Sequence, residues 1–291
     1  MKPDVLTRWT CEQSAELYGI RNWGARYFDV STDGHILVKP FGPGSPVRVD
    51  LLKIVQDLQR RDCNPPIVLR FADILASQLQ LIYDSFNLAI QSAGYQGIYR
   101  GVYPVKVNQK QMLIDDIIEY GAPYGHGLEA GSKAELIAAV ASMRNPDAFI
   151  VCNGYKDEEF LGLALQSLKM GLKTYIVMEM PSELGLILAL SKSMGVRPLL
   201  GIRTKLSSRS GGHWDGSGGD RSKFGMDSNQ ITEMVDQLRQ ADMLDCLQLL
   251  HYHLGSQIPD IRRVRTALQE ACQFYIGLVR EGAPMGILNI G

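Results

Sequence analysis

No stretch of the chain approaches the ~20 apolar residues that span a bilayer, and its start, MKPDVLTRWTCEQSAELYGI, lacks the unbroken apolar core of a signal peptide. A membrane role is not expected. The five cysteines, Cys11, Cys63, Cys152, Cys246 and Cys272, form no C-x-x-C pair, and their odd number suits free thiols in a reducing, cytoplasmic compartment. Charge of one sign is missing too: 30 Lys and Arg against 31 Asp and Glu leave a net −1, so no overall field draws the chain to nucleic acid or an anionic surface. G-x-S-x-G is absent, which excludes a serine hydrolase elbow, and no Gly-Lys-Ser marks a Walker loop. With 45% hydrophobic and 21% charged residues over 291 positions, the chain is globular and long enough for one large domain or two ordinary ones.

What is present begins with a hairpin signal. Residues 24–30 and 35–40 flank Ser31-Thr-Asp-Gly34, with Asp-Gly at the turn, and a helix follows over Leu51 to Arg60. Residues 1–60 thus read as a small separate segment, and residues 61–291 as the main domain. From Pro66 onward, short apolar runs alternate with amphipathic stretches. The strand candidates are 67–71, 98–106, 127–130, 148–153, 174–179, 199–204, 247–254 and 287–290. The helical pattern 75–93 places Leu79, Ile82, Phe86 and Ala89 or Ile90 on one face. This alternation implies parallel strands with right-handed crossovers, in a (β/α)8 barrel or an open doubly wound sheet. Polar and glycine residues concentrate just after the strands, at Lys106-Val-Asn-Gln, Glu129-Ala-Gly-Ser, Asn153-Gly-Tyr-Lys, Arg203-Thr-Lys and His253-Leu-Gly-Ser. Residues recruited from most strands at once favour the ring.

Lys106 ends the run Tyr99-Arg-Gly-Val-Tyr-Pro-Val-Lys and would leave an apolar strand at the barrel mouth. Burial without an anion lowers a lysine pKa and makes the amine a Schiff-base nucleophile, whereas a lysine that merely reaches water carries no chemistry. His251 and His253 stand at i and i+2, so on a strand both point to one side. That spacing could hold a metal, but His35, His126 and His213 supply no evident third ligand. Packing of one imidazole on a planar group, with the Gly-Ser turn offering N–H and hydroxyl to an anion, fits better. Gly125-His-Gly-Leu-Glu-Ala130 matches G-x-G-x-x-A weakly, because its glycines precede the strand. The glycine-rich stretch Ser207 to Gly225 reads as a lid or a linker.

Several long motifs occur together and in order: Val102-Tyr-Pro-Val-Lys-Val-Asn-Gln109, Gly127-Leu-Glu-Ala-Gly-Ser-Lys-Ala-Glu-Leu136, Val151-Cys-Asn-Gly-Tyr-Lys-Asp157, Ser222-Lys-Phe-Gly-Met226 and Leu249-Leu-His-Tyr-His-Leu-Gly-Ser-Gln257. In these the chain, from about Tyr18 onward, resembles the biosynthetic arginine decarboxylases, pyridoxal 5'-phosphate enzymes with an alanine-racemase-type TIM barrel. The resemblance implies decarboxylation of L-arginine to agmatine and CO2, in polyamine and spermidine biosynthesis and arginine catabolism. It implies that Lys106 carries the cofactor as a Schiff base, that His253 stacks on its ring and takes part in catalysis, and that Glu129 sits beside Lys106. Arg203 would lie near the ring's oxygen edge, Ser256 and Gly291 would contact the phosphate, and Leu288, Asn289, Ile290 and Gly291 would border the substrate. Magnesium, a homodimer or pair of dimers, and a cytoplasmic location are further implications, with no metal ligands assignable. Neither nucleic acid nor a membrane is implied as a partner.

By the same resemblance the Lys106 strand opens the ring and residues 67–71 form an entry strand outside it. Seven barrel strands are then counted, the last ending at Gly291, where the family's glycine-rich phosphate loop begins. The expectation is an N-terminal fragment of a longer enzyme, lacking the eighth strand and the second β domain, that alone binds cofactor poorly and has little activity. Competing assignments are decarboxylation of ornithine or diaminopimelate, and a non-catalytic barrel relative.

Overall fold

A computed structural model of the chain describes residues 9–207 and 223–291. Two compact units divide it, Met1–Tyr99 and Arg100–Gly291.

The first unit opens with α1 (Cys11–Leu17), capped by Thr10 and Gln13 in a reciprocal box, and α2 (Ile20–Trp23). The expected hairpin is present as β1 (Phe28–Val30) and β2 (Ile36–Val38), antiparallel with Phe28 opposite Val38. A third strand, β3 (Val49–Asp50), which its two-residue length hides from pattern reading, pairs with β2. Asp50 then caps α3 (Leu51–Gln59), accepting from the N–H groups of Leu52 and Lys53 at 3.0 and 3.2 Å. Residues 67–71 are a correction: they form no strand. Apolar residues predict extended backbone but cannot supply a partner, and none pairs there.

The long helix α4 (Ala72–Ala93) matches expectation in extent but not in its buried face. Leu79 and Tyr83 are the buried pair, while Ile82 and Phe86 are 44% and 38% exposed. Phe86 instead stacks on Tyr99, ring centroids 3.8 Å apart. Tyr27 ties the hairpin to this helix through hydrogen bonds with Ser77 Oγ at 2.6 Å and Gln78 Nε2 at 2.8 Å.

The second unit runs β4 (Val102–Pro104), α5 (Gln111–Gly121), β5 (Gly127–Ala130), α6 (Lys133–Ser142), β6 (Phe149–Cys152), α7 (Glu158–Lys169), β7 (Lys173–Met178), α8 (Ser182–Met194), β8 (Leu199–Arg203), α9 (Ser228–Gln240), β9 (Leu247–His251), α10 (Ile261–Arg280) and β10 (Ile287–Asn289). Its seven strands form one wholly parallel sheet in the order β10-β9-β8-β7-β6-β5-β4, as a barrel sequence of alternating strands and helices demands. The strand that was expected over 98–106 is only Val102–Pro104, because the backbone tightens into a 3-10 turn at Val105–Val107.

Alternation along the strands builds two apolar layers. Leu128, Ile150, Ile176, Leu200 and Ile202 face the helices and pack against Leu136, Phe160, Leu161, Leu184 and Leu238. Val151, Tyr175, Val177 and Leu249 form a separate cluster on the other face. Helix α9 meets the first layer with Ile231, Met234, Val235 and Leu238, the i, i+3, i+4, i+7 spacing of one helical face. A bulge between β8 and β9 decides which way the last strands point. Leu200 pairs with Leu247 but Gly201 pairs with Leu249, so one extra residue flips the parity and sets His251 opposite Arg203. Among the described residues no helix is long and apolar enough to cross a membrane, and all five cysteines are free.

Candidate active site

The C-terminal ends of the parallel strands gather the charged residues. Glu129, the third residue of β5, is 5% exposed, and Asn153 after β6 donates to its Oε1 at 3.3 Å. Its Oε2 is buried without a partner. Burial pushes the Glu129 carboxyl up, and the nearby Lys106 ammonium, with the Asn153 bond, pulls it partly back. Lys106 itself lies on the 3-10 turn after β4 and is exposed, so the expected strand-end lysine sits one turn further out than periodicity predicts.

Across the sheet, Arg203 at the end of β8 is held by Glu179, the residue following β7: Nη1 donates to Oε2 at 2.8 Å, with the carboxylate side chain 0% exposed. Glu179 Oε1 takes the Gly154 N–H at 2.8 Å. Gly154 has φ +76°, and a Cβ there would stand 2.9 Å from the Gly131 carbonyl oxygen, so two strand-end loops approach closely enough to require glycine.

His253 follows β9 and is half-buried. Burial, Arg203 and Lys106 all depress its pKa, with Glu179 opposing them, so the imidazole is held neutral. The same cation, Lys106, therefore acts on both Glu129 and His253, and Lys106, Glu129, Arg203, Glu179 and His253 form one electrostatic group at the mouth. His251 is buried, with its pKa pushed down to about 3 mainly by desolvation, and its Nδ1 has no hydrogen-bond partner. No group of three His, Cys, Asp or Glu that could hold a metal occurs among the described residues. His213 lies outside them, as does residues 208–222 of the expected lid or linker.

The chain end reaches the same place. Asn289 pairs in register with His251, and its Oδ1 accepts the Gly291 N–H at 3.0 Å. Gly291 has φ +89°, and a Cβ on it would meet the Tyr252 carbonyl oxygen at 2.8 Å and His253 Nδ1 at 2.9 Å. Leu288 packs into the helix-facing core, Ile290 is 43% exposed, and Ser256 stands exposed on the turn after His253.

A lysine amine, an orphaned buried carboxylate oxygen, a neutral imidazole and a guanidinium held in place, on loops that glycine lets pack closely, fit a planar, anionic aldehyde cofactor. Sequence reading missed Glu179 and Glu183, and it placed Asn153 and Lys156 among the polar residues after a strand without giving either a role. A charged residue closing the apolar run 174–179 was the available signal for Glu179.

The pyridoxal binding domain of the pyridoxal-dependent decarboxylases matches residues 81–291. The biosynthetic arginine decarboxylase of Gloeobacter violaceus is 46% identical over 97% of this chain and 44% of its own length. Arginine decarboxylase 2 of Arabidopsis thaliana is 43% identical over 99% of this chain and 42% of its own. Among solved structures, the biosynthetic arginine decarboxylase SpeA of Campylobacter jejuni superposes with a TM-score of 0.84 at 33% identity, covering 94% of this chain and 44% of that one. A diaminopimelate decarboxylase of M. jannaschi, at 20% identity and a TM-score of 0.69, shares the fold, covering 92% of this chain and 57% of that one. The chain thus spans less than half the length of these three arginine decarboxylases.

Proposed function

We propose that this chain, which belongs to the pyridoxal-dependent decarboxylases through their pyridoxal binding domain, is the cofactor-holding part of an enzyme that converts L-arginine to agmatine and CO2. The observation that carries the reading is the convergence of Lys106, Glu129, Arg203 and His253 at one end of the parallel sheet, in a chain 46% identical to an arginine decarboxylase. Pyridoxal phosphate, when bound, supplies an electron-withdrawing ring that delocalises the charge left on Cα as CO2 departs.

The protein's residues do the rest. The Lys106 amine would supply the covalent attachment, with Glu129 as the carboxylate nearest to it. His253, kept neutral by burial and by two cations, would give the cofactor a flat, uncharged neighbour. Arg203, fixed by Glu179, would have its remaining N–H groups free to donate to the cofactor. Ser256 would offer a hydroxyl to phosphate. Gly291 contributes its close packing against Tyr252 and His253, since its N–H already bonds Asn289. Substrate contact by residues 288–291, magnesium, a homodimer or pair of dimers, a cytoplasmic location, a place in polyamine synthesis and a division between residues 1–60 and 61–291 belong to the same proposal.

The test is made on the full-length protein with pyridoxal phosphate, by borohydride reduction and peptide mapping, with arginine, ornithine and diaminopimelate offered in turn. Label at Lys106 and agmatine release are expected. A label on any other lysine, or preferred turnover of ornithine or diaminopimelate, would overturn the assignment.

A further inference from the structure

We propose that the buried ion pair of Lys156 and Glu183 is a positioning device for the mouth of the sheet, fixing Glu179 and through it the Arg203 guanidinium. The inference rests on reading that mouth as a pyridoxal phosphate site.

Lys156 and Glu183 side chains are 0% and 1% exposed, with Nζ and Oε1 3.3 Å apart. Removing two charges from water is costly, and an apolar pair of the same volume often stabilises a fold as well or better. What an apolar pair cannot do is accept hydrogen bonds. Glu183, in the first turn of α8, uses both oxygens on backbone: Oε1 takes the Lys156 N–H at 3.0 Å and Oε2 takes the Glu179 N–H at 2.8 Å. Lys156 Nζ turns back to the Gly154 carbonyl at 2.5 Å.

Two successive strand-end loops, those after β6 and β7, are therefore joined by one carboxylate and one ammonium. Glu179 extends the connection with three further bonds. Its Oε1 holds the Gly154 N–H, its Oε2 holds Arg203, and its carbonyl accepts the Gly225 N–H at 2.9 Å. The orientation of Arg203 beside His253 is thus set by a pair that touches neither cofactor nor substrate.

The test uses the full-length protein carrying Glu183→Gln, which keeps volume but exchanges one acceptor for a donor, and the double variant Lys156→Met/Glu183→Leu, which is apolar and similar in size. Crystal structures, absorbance titration with pyridoxal phosphate and thermal unfolding of the cofactor-free protein are compared with wild type. The double variant, which leaves the Lys156 and Glu179 N–H groups without their acceptor, is expected to fold with an unfolding midpoint several degrees below wild type, and to bind pyridoxal phosphate roughly tenfold more weakly, with Arg203 displaced by about 1 Å. Should Glu183→Gln fail to fold, the double variant decides. Wild-type affinity and an unmoved Arg203 in the double variant would reduce the pair to core filling and overturn the proposal. A wild-type protein that takes up no pyridoxal phosphate would defeat the functional reading instead, and the position of Arg203 in the crystals would then decide this one.

Discussion

Arg203 reaches back from the end of one strand to Glu179 at the end of its neighbour, 2.8 Å from nitrogen to oxygen, with the acid fully buried and the base nearly so. The bond joins a charge that serves the mouth to one that serves the scaffold. Breaking such a pair from one side leaves an uncompensated buried charge, at about 3–5 kcal/mol. Glu179→Ala should therefore destabilise the protein strongly in urea unfolding, and Glu179→Ala combined with Arg203→Met should cost less than the two singles added. Additive losses would mean that the two side chains do not act on each other.

Lys106→Ala removes the amine proposed to attach the cofactor. Borohydride should then fix no label in the full-length protein, and CO2 release from arginine should fall by on the order of a thousandfold or more. Because Lys106 is exposed, its loss should leave the unfolding midpoint of the cofactor-free protein almost unchanged.

His251 makes stability depend on pH. Its folded pKa is depressed to about 3 from an ordinary 6.5, so between those values the unfolded chain binds a proton that the folded one refuses. Stability is full above about 6.5 and falls as pH drops toward 3, by on the order of 1 kcal/mol per pH unit. His126, depressed to about 4 by burial, adds to the same trend. Glu129 opposes it: a raised carboxyl pKa favours the fold at low pH and loses that contribution as pH rises. Thermal unfolding of His251→Asn from pH 7 to pH 4 should show a shallower decline than wild type, and an equal slope would remove the residue from this account.

Gly154→Ala tests the close approach of two strand-end loops. The positive φ and the 2.9 Å contact with the Gly131 carbonyl both penalise a methyl group, at ~1–3 kcal/mol. Gly162→Ala, in the interior of α7 where a Cβ meets nothing within 4 Å, should instead stabilise slightly. The two variants, compared by denaturant midpoint, separate strain from simple addition of a side chain.

Much of this architecture is legible in the sequence because it is written locally. Strands such as 127–130 appear where their apolar runs put them, bounded by turn residues. Helix α9 shows its face in four residues. The buried face of α4 is misjudged because two aromatic residues, Tyr83 and Phe86, both pack on Tyr99, and ring stacking is invisible to a count of apolar positions. The site is harder still. Lys106, Glu129, Arg203 and His253 stand out as polar residues closing apolar runs. Lys156 and Glu183 lie 27 positions apart and look like ordinary solvated charges until the fold buries both. The bulge that turns His251 toward Arg203 leaves no mark beyond one glutamine, Gln248, set between leucines.

The chain that leaves β8 at Arg203 comes back at once: Met226 donates to the Arg203 carbonyl at 2.8 Å, Lys205 donates to Met226 at 2.9 Å, and Thr204 bridges Met226 in parallel. Both flanks of this return are packed in place: Leu206 is 4% exposed, and Arg203 Cζ lies 5.9 Å from the centre of the Phe224 ring. An alteration at either flank is therefore felt by the neighbouring guanidinium, which makes Leu206 and Phe224 the positions an engineer working beside β8 has to leave alone.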